Sequence, residues 1–93
     1  MYKLLIFRSN RYLFAQVIDS ERGKTILGLS DKILAEKEKV GTKVQRAKMF
    51  GIKFGETALK KKVRKVIFDR GGYRYHGRIK AFAEGAREGG LEL

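Results

Sequence analysis

The rhythm of apolar and polar positions changes partway along this chain. Up to about residue 30 the apolar residues come in short runs separated by polar turns. Leu4-Leu5-Ile6-Phe7 is broken by Ser9-Asn10-Arg11, a tight turn in which Asn tolerates a positive φ. Tyr12 to Ile18 follows, aromatic and β-branched, and Asp19-Ser20-Glu21-Arg22-Gly23-Lys24 closes it. Thr25 to Ser30 is the third run. Three such runs joined by short polar connections predict an antiparallel meander.

From about Thr42 the spacing becomes helical. Val44, Ala47, Phe50, Gly51, Phe54, Ala58 and Leu59 recur at intervals of three and four, which predicts an amphipathic helix with Thr42 as its N-cap. The opposite face carries Lys43, Arg46, Lys53 and Lys60. Gly51 and Gly55 share one side and would let the helix lie close against a sheet. Lys60-Lys61-Lys62 crowds the helix C-terminus, where cations meet unpaired carbonyls favourably.

Val66-Ile67-Phe68, within Val63 to Asp69, reads as a buried fourth strand, ended by Gly71-Gly72. Ile79, Phe82, Ala83 and Ala86 then mark a second amphipathic helix over 78–88, stopped by Gly89-Gly90. The order βββαβα predicts an α/β fold: a mixed sheet, three antiparallel strands plus one crossover strand, with helices packed on it. Residues 31–41 fit a loop or a short helical turn equally well.

Composition narrows the class. With 93 residues there is room for one domain, 1–93, and 43% hydrophobic content fits a folded core rather than a basic tail. The absence of cysteine rules out a disulfide framework or a thiolate metal site and leaves a cytoplasmic setting as the default. No apolar run approaches the roughly 18 residues of a membrane span. The net charge of +12 self-repels unless a polyanion compensates it. The excess is concentrated: residues 43–80 carry thirteen basic and two acidic side chains. Nucleic acid is the first partner class this implies, an anionic membrane surface the second.

The most unusual stretch is Phe68-Asp69-Arg70-Gly71-Gly72-Tyr73-Arg74-Tyr75-His76-Gly77-Arg78, between the fourth strand and the last helix. It offers three arginines for phosphates, two tyrosines and a histidine for stacking or donor contacts, and three glycines that admit close backbone approach. RNA recognition needs that combination of charge and flat donors. In the bland alternative, Tyr73 and Tyr75 pack on the domain and the arginines are ordinary solvated charges. Asp69 reads as a cap for the loop or the partner of a nearby arginine, and His76 has no partners with which to build a metal site.

On these residues the whole chain resembles the bacterial large-subunit ribosomal protein L18 family. Phe7-Arg8-Ser9-Asn10, Tyr12 and Ala15-Gln16-Val17-Ile18-Asp19 match its first hairpin. Phe68 through Arg78 match its signature loop, and Ala81, Ala86-Arg87-Glu88 and Gly90-Leu91 its last helix. The resemblance implies a non-enzymatic structural protein of the ribosome that binds 5S rRNA, contacts 23S rRNA and neighbouring large-subunit proteins, and uses no cofactor, membrane or small-molecule substrate. It implies RNA-binding roles for Arg8, Ser9, Asn10, Arg11, Tyr12 and Gln16 in the hairpin. In the loop it implies them for Arg70, Gly71, Gly72, Tyr73, Arg74, Tyr75, His76, Gly77 and Arg78. Ser9 and Asn10 also have a plain turn-forming role. The family's usual Lys/Arg-rich arm precedes the first strand, whereas this sequence starts almost directly on it at Met1-Tyr2-Lys3, which sets the expectation of a shortened version with weaker RNA affinity or of a body that supplies the arm's contacts. Lys43, Arg46, Lys48 and Lys53 of the first helix could do so, although a solvated helix face is the first reading.

Two other classes compete. The βββαβα order also suits a nuclease of ribonuclease-H-like topology, with Asp19 and Asp69 at strand ends. Two-metal chemistry needs several clustered carboxylates, and no third ligand is in evidence. A membrane-surface helix would use Phe50 and Phe54, which the sheet needs as its cover. No helix-turn-helix or zinc-finger pattern appears.

Overall fold

Alternation along the first strands sorts their side chains onto two faces. The computed structural model describes residues 1–9, 12–34 and 41–93. In it β1 (Tyr2–Arg8), β2 (Leu13–Asp19) and β3 (Lys24–Ser30) form the expected meander. Leu4 pairs with Val17 and Ile6 with Ala15, and all four are buried together with Leu13 and Leu27. A bulge interrupts the second ladder, where Val17 pairs with Leu27 but Ile18 with Thr25, leaving Ile26 over. The turn at Asn10 and Arg11 lies outside the described residues.

A short 3₁₀ turn, Asp31–Ile33, follows β3, so the open question over 31–41 resolves into a helical turn at its start. Residues 35–40 lie outside the described residues. α1 (Lys43–Lys60) begins with a full capping box. The Thr42 hydroxyl accepts from the Gln45 amide (3.1 Å) and the Gln45 side-chain oxygen accepts from the Thr42 amide (2.8 Å). β4 (Ile67–Asp69) then runs parallel to β1, giving the order β3-β2-β1-β4. α2 (Arg78–Glu88) closes the fold.

The core lies between one face of the sheet and the two helices. Phe50 and Phe54 of α1 and Phe82 of α2 are fully buried, with ring centroids 5.2–6.1 Å apart. Each such ring contributes about 1.5–3 kcal/mol by leaving water. Val44 and Leu59 fall on the same helical stripe but stand at the two ends of α1 and are exposed.

Two expectations need correction. Val66-Ile67-Phe68 is not a fully buried strand. β4 is a three-residue edge strand covered on one face only, so Val66 is buried while Ile67 is 46% exposed. Gly51 and Gly55 do not approach the sheet. They face Phe82 and Ala86 of α2, while Gly85 of α2 and Gly89, its C-cap, face Lys48 and Ile52 of α1. A β-carbon at Gly51 would run into the Phe82 carbonyl, and one at Gly85 into that of Lys48. Because these pairings rise together along both helices, α1 and α2 run in the same direction.

Candidate nucleic-acid interface

Strand direction gathers the candidate residues at one end of the molecule. β1 ends at Arg8 and β4, parallel to it, ends at Asp69, so the hairpin tip and the glycine-rich loop leave the sheet side by side. β3 ends there too, since Ser30 pairs with Phe14. α2 starts directly after the loop, and α1, like-directed, starts at the same end. Both helices therefore turn the positive ends of their dipoles toward the cationic hairpin and loop. Such an arrangement favours an anion in front of it.

Locally, the loop is a chain of short-range bonds. The Asp69 carboxylate accepts from the Gly71 amide (2.8 Å), and the Tyr73 amide donates to the Arg70 carbonyl (3.1 Å). Gly71 and Gly72 have φ of +61° and +87°, a backbone that L side chains rarely adopt. The turn brings Tyr73 back to β1. There its hydroxyl accepts from the Arg8 amide (3.2 Å), and the Arg8 guanidinium sits 5.1 Å from its ring centroid. A second tie comes from α2: Arg78 Nη1 donates to the Ser9 carbonyl (2.9 Å). Hairpin and loop are thus one surface, although they lie more than 60 residues apart in the chain.

The two tyrosines divide their roles. Tyr73 is half-buried against the core and braces the loop, as the bland reading has it. Tyr75 is 38% exposed, with Arg70 5.8 Å from its ring centroid and Arg87 donating to its hydroxyl (3.2 Å). Arg70, Gly71, Gly72, Arg74 and His76 are exposed, and Gly77 and Arg78 half-buried. Burial, above all, lowers the proton affinity of Arg78; Asp31 opposes the shift, and Arg8 and Arg46 add to it. On the hairpin, Arg8, Ser9 and Tyr12 are exposed, and Lys32 stands 4.4 Å from the Tyr12 ring centroid. The Ser9 hydroxyl accepts from the Tyr12 amide (3.0 Å), which bears out its turn-forming role. Asn10 and Arg11 lie outside the described residues.

Gln16 is not at this end. It sits half-buried in mid-sheet, paired with Leu5 and Gly28, on the face that turns away from the helices. That face carries residues the sequence reading missed. Phe7 and Phe14 are a cross-strand pair with ring centroids 6.1 Å apart, and they are 46% and 40% exposed. Gly28 beneath Phe14 leaves the ring room to lie across β3, since a β-carbon there would press on its edge. The signal was present: Phe7 has the opposite parity to Leu4 and Ile6, and Phe14 to Leu13 and Ala15. A concavity of about 370 Å³ at the edge of this face is lined by Lys3, Asp69, Arg70, Gly71 and Gly72 among others.

The carboxylates weighed for a nuclease serve their own turns. Asp19 accepts from the Glu21 and Arg22 amides and Asp69 from Gly71. Among the described residues no three His, Cys, Asp or Glu side chains are grouped to hold a metal ion, and no helix is long and apolar enough to cross a membrane.

Comparison with known proteins agrees with this geometry. Residues 2–93 match the model of the family described as ribosomal L18 of archaea, bacteria, mitochondria and chloroplast. The large ribosomal subunit protein uL18 of Thermotoga petrophila is 50% identical over 93 residues, spanning 98% of this chain and 76% of the relative. That of Thermus thermophilus is 48% identical over 91 residues, covering 98% and 79%. That of Afipia carboxidovorans is 46% identical over 93 residues, covering 98% and 78%.

Proposed function

Since this chain belongs to the ribosomal L18 family, whose members are structural, non-enzymatic proteins of the large ribosomal subunit, we propose that it binds 5S rRNA and helps attach it to 23S rRNA in the central protuberance. On this reading it works in the cytoplasm, as part of the ribosome, beside other large-subunit proteins. The observation that carries the reading is the joining of hairpin and loop through Tyr73–Arg8 and Arg78–Ser9, which builds one cationic surface from two distant segments.

The work is divided among the residues by chemistry. Arg8, Arg70, Arg74 and Arg78 neutralise phosphates, and the counterions released drive association. Ser9, Asn10, Arg11, Tyr12, Tyr75 and His76 supply donors and flat faces for bases and 2′-hydroxyls. Gly71, Gly72 and Gly77 let the RNA backbone come near, and Tyr73 holds the loop to β1. Gln16, with Phe7 and Phe14, extends the interface over the open face of the sheet, where exposed rings take unstacked bases.

The test is a footprint on a mixture of ribosomal RNAs at defined salt. Protection concentrated on 5S rRNA, with a weaker imprint on 23S rRNA, is the expected result. Protection of neither RNA overturns the reading.

A further inference from the structure

Three arginines from three separate elements lie at the cationic end of the fold. Arg8 comes from the end of β1, Arg46 from the first turn of α1 and Arg78 from the start of α2. Arg78 reaches the Ser9 carbonyl, one residue beyond Arg8 (2.9 Å). Arg46 is half-buried, and its Nε is buried with no hydrogen-bond partner among the described residues. We propose that Arg8, Arg46 and Arg78 form one binding site for a phosphate group of the RNA backbone, with Arg46 as a contact on a helix that neither the hairpin nor the loop supplies. The site rests on the RNA-binding reading and deepens it.

Three observations support the assignment. An Nε–H is one of the two donors with which arginine grips an oxyanion side-on, and a buried donor left unmatched is costly until an acceptor arrives. Arg8 and Arg46 each also lie within electrostatic reach of Arg78, since both act against its charge, after burial as the leading cause. Among the described residues Asp31 is the one carboxylate acting on Arg78, so these described groups together keep a net positive charge that a phosphate would balance. Finally, the cluster stands at the starts of both helices, where backbone dipoles favour an anion.

The competing role for Arg46 is to neutralise Asp31, whose Oδ1 is likewise buried without a hydrogen-bond partner among the described residues. The experiment separates the two. Binding of 5S rRNA is measured across a salt series for the wild type, Arg46→Gln, Arg46→Lys and Lys61→Gln, the last an exposed cation at the far end of α1. Arg46→Gln is expected to bind about tenfold more weakly. Its slope of log K against log salt should be shallower by about 0.7–0.9. Arg46→Lys restores the slope but not the full affinity, because an ammonium lacks the planar fork. Lys61→Gln stays close to wild type.

A folded Arg46→Gln with wild-type affinity and slope overturns the proposal. So does an equal effect of Lys61→Gln, which would reduce Arg46 to bulk charge. Should Arg46→Gln unfold, Arg46→Lys decides: wild-type affinity there counts against the site. Inorganic phosphate at matched ionic strength tests the source of the anion, and competition by low-millimolar phosphate would assign the cluster to the free ion and remove the RNA backbone as its ligand. A wild type that binds no 5S rRNA brings down the proposed function first, and this site with it.

Discussion

The Arg8 amide donates to the Tyr73 hydroxyl (3.2 Å) while the Arg8 guanidinium lies over the ring of the same tyrosine, 5.1 Å from its centroid. Arg8 thus grips a residue 65 positions away by both its backbone and its side chain. Tyr73→Phe keeps the ring and removes the hydroxyl. A stability loss of about 0.5–1.5 kcal/mol is expected from one lost hydrogen bond. Urea denaturation at constant m-value measures it. No change would mean that the hydroxyl bond is exchanged for water at no cost.

Arg70 and Arg78 separate binding from bracing. Each alanine variant should weaken 5S rRNA binding by about 1–3 kcal/mol if the guanidinium meets the RNA directly. Arg78 also holds the Ser9 carbonyl, so Arg78→Ala should lower stability as well, whereas exposed Arg70 should not. Filter binding and thermal melts on the same preparations distinguish the two effects. If both folded variants bind like wild type, the loop is not the interface.

The open face of the sheet makes its own prediction. Phe14→Ala on this half-exposed surface should cost far less stability than the roughly 3–5 kcal/mol of a buried phenylalanine such as Phe50. Its RNA affinity should nonetheless fall by about 1–3 kcal/mol for a stacked base. Loss of stability without loss of affinity would assign the Phe7–Phe14 pair to packing alone.

Gly85→Ala tests the contact between helices. In an isolated helix the change would gain about 1 kcal/mol of propensity. Here the new methyl is driven into the Lys48 carbonyl, a backbone atom that cannot step aside unless α1 and α2 separate. Net destabilisation of about 1–3 kcal/mol, as for overpacked cores, is expected in denaturant titration.

Most of the fold was legible because each element advertises itself locally. Leu4 and Ile6 alternate, Phe50 and Phe54 repeat at helical spacing, and Thr42 marks a cap. What escaped depended on neighbours. Ile67 sits in an apolar triplet that looks buried on both sides, yet only one layer of helix exists to cover it. The shared side of Gly51 and Gly55 was visible, but its partner was not, because that follows from the route of the chain through β4. In the candidate site, the residues from Arg70 to Arg78 were readable as chemistry, while the bracing role of Tyr73 needed Arg8 to be brought beside it. Phe7 was hidden by the unbroken run Leu4-Leu5-Ile6-Phe7, which masks its parity.

The like-directed course of α1 and α2 has a kinetic meaning. Two helices joined by a tight turn can zip together early; these cannot, since the chain must first travel back along the sheet through β4 before Gly85 can meet Lys48. Such a distant closure comes late in assembly and slows it. Substitutions along the glycine seam should therefore quicken the unfolding arm of a chevron plot and leave the refolding arm nearly where it was.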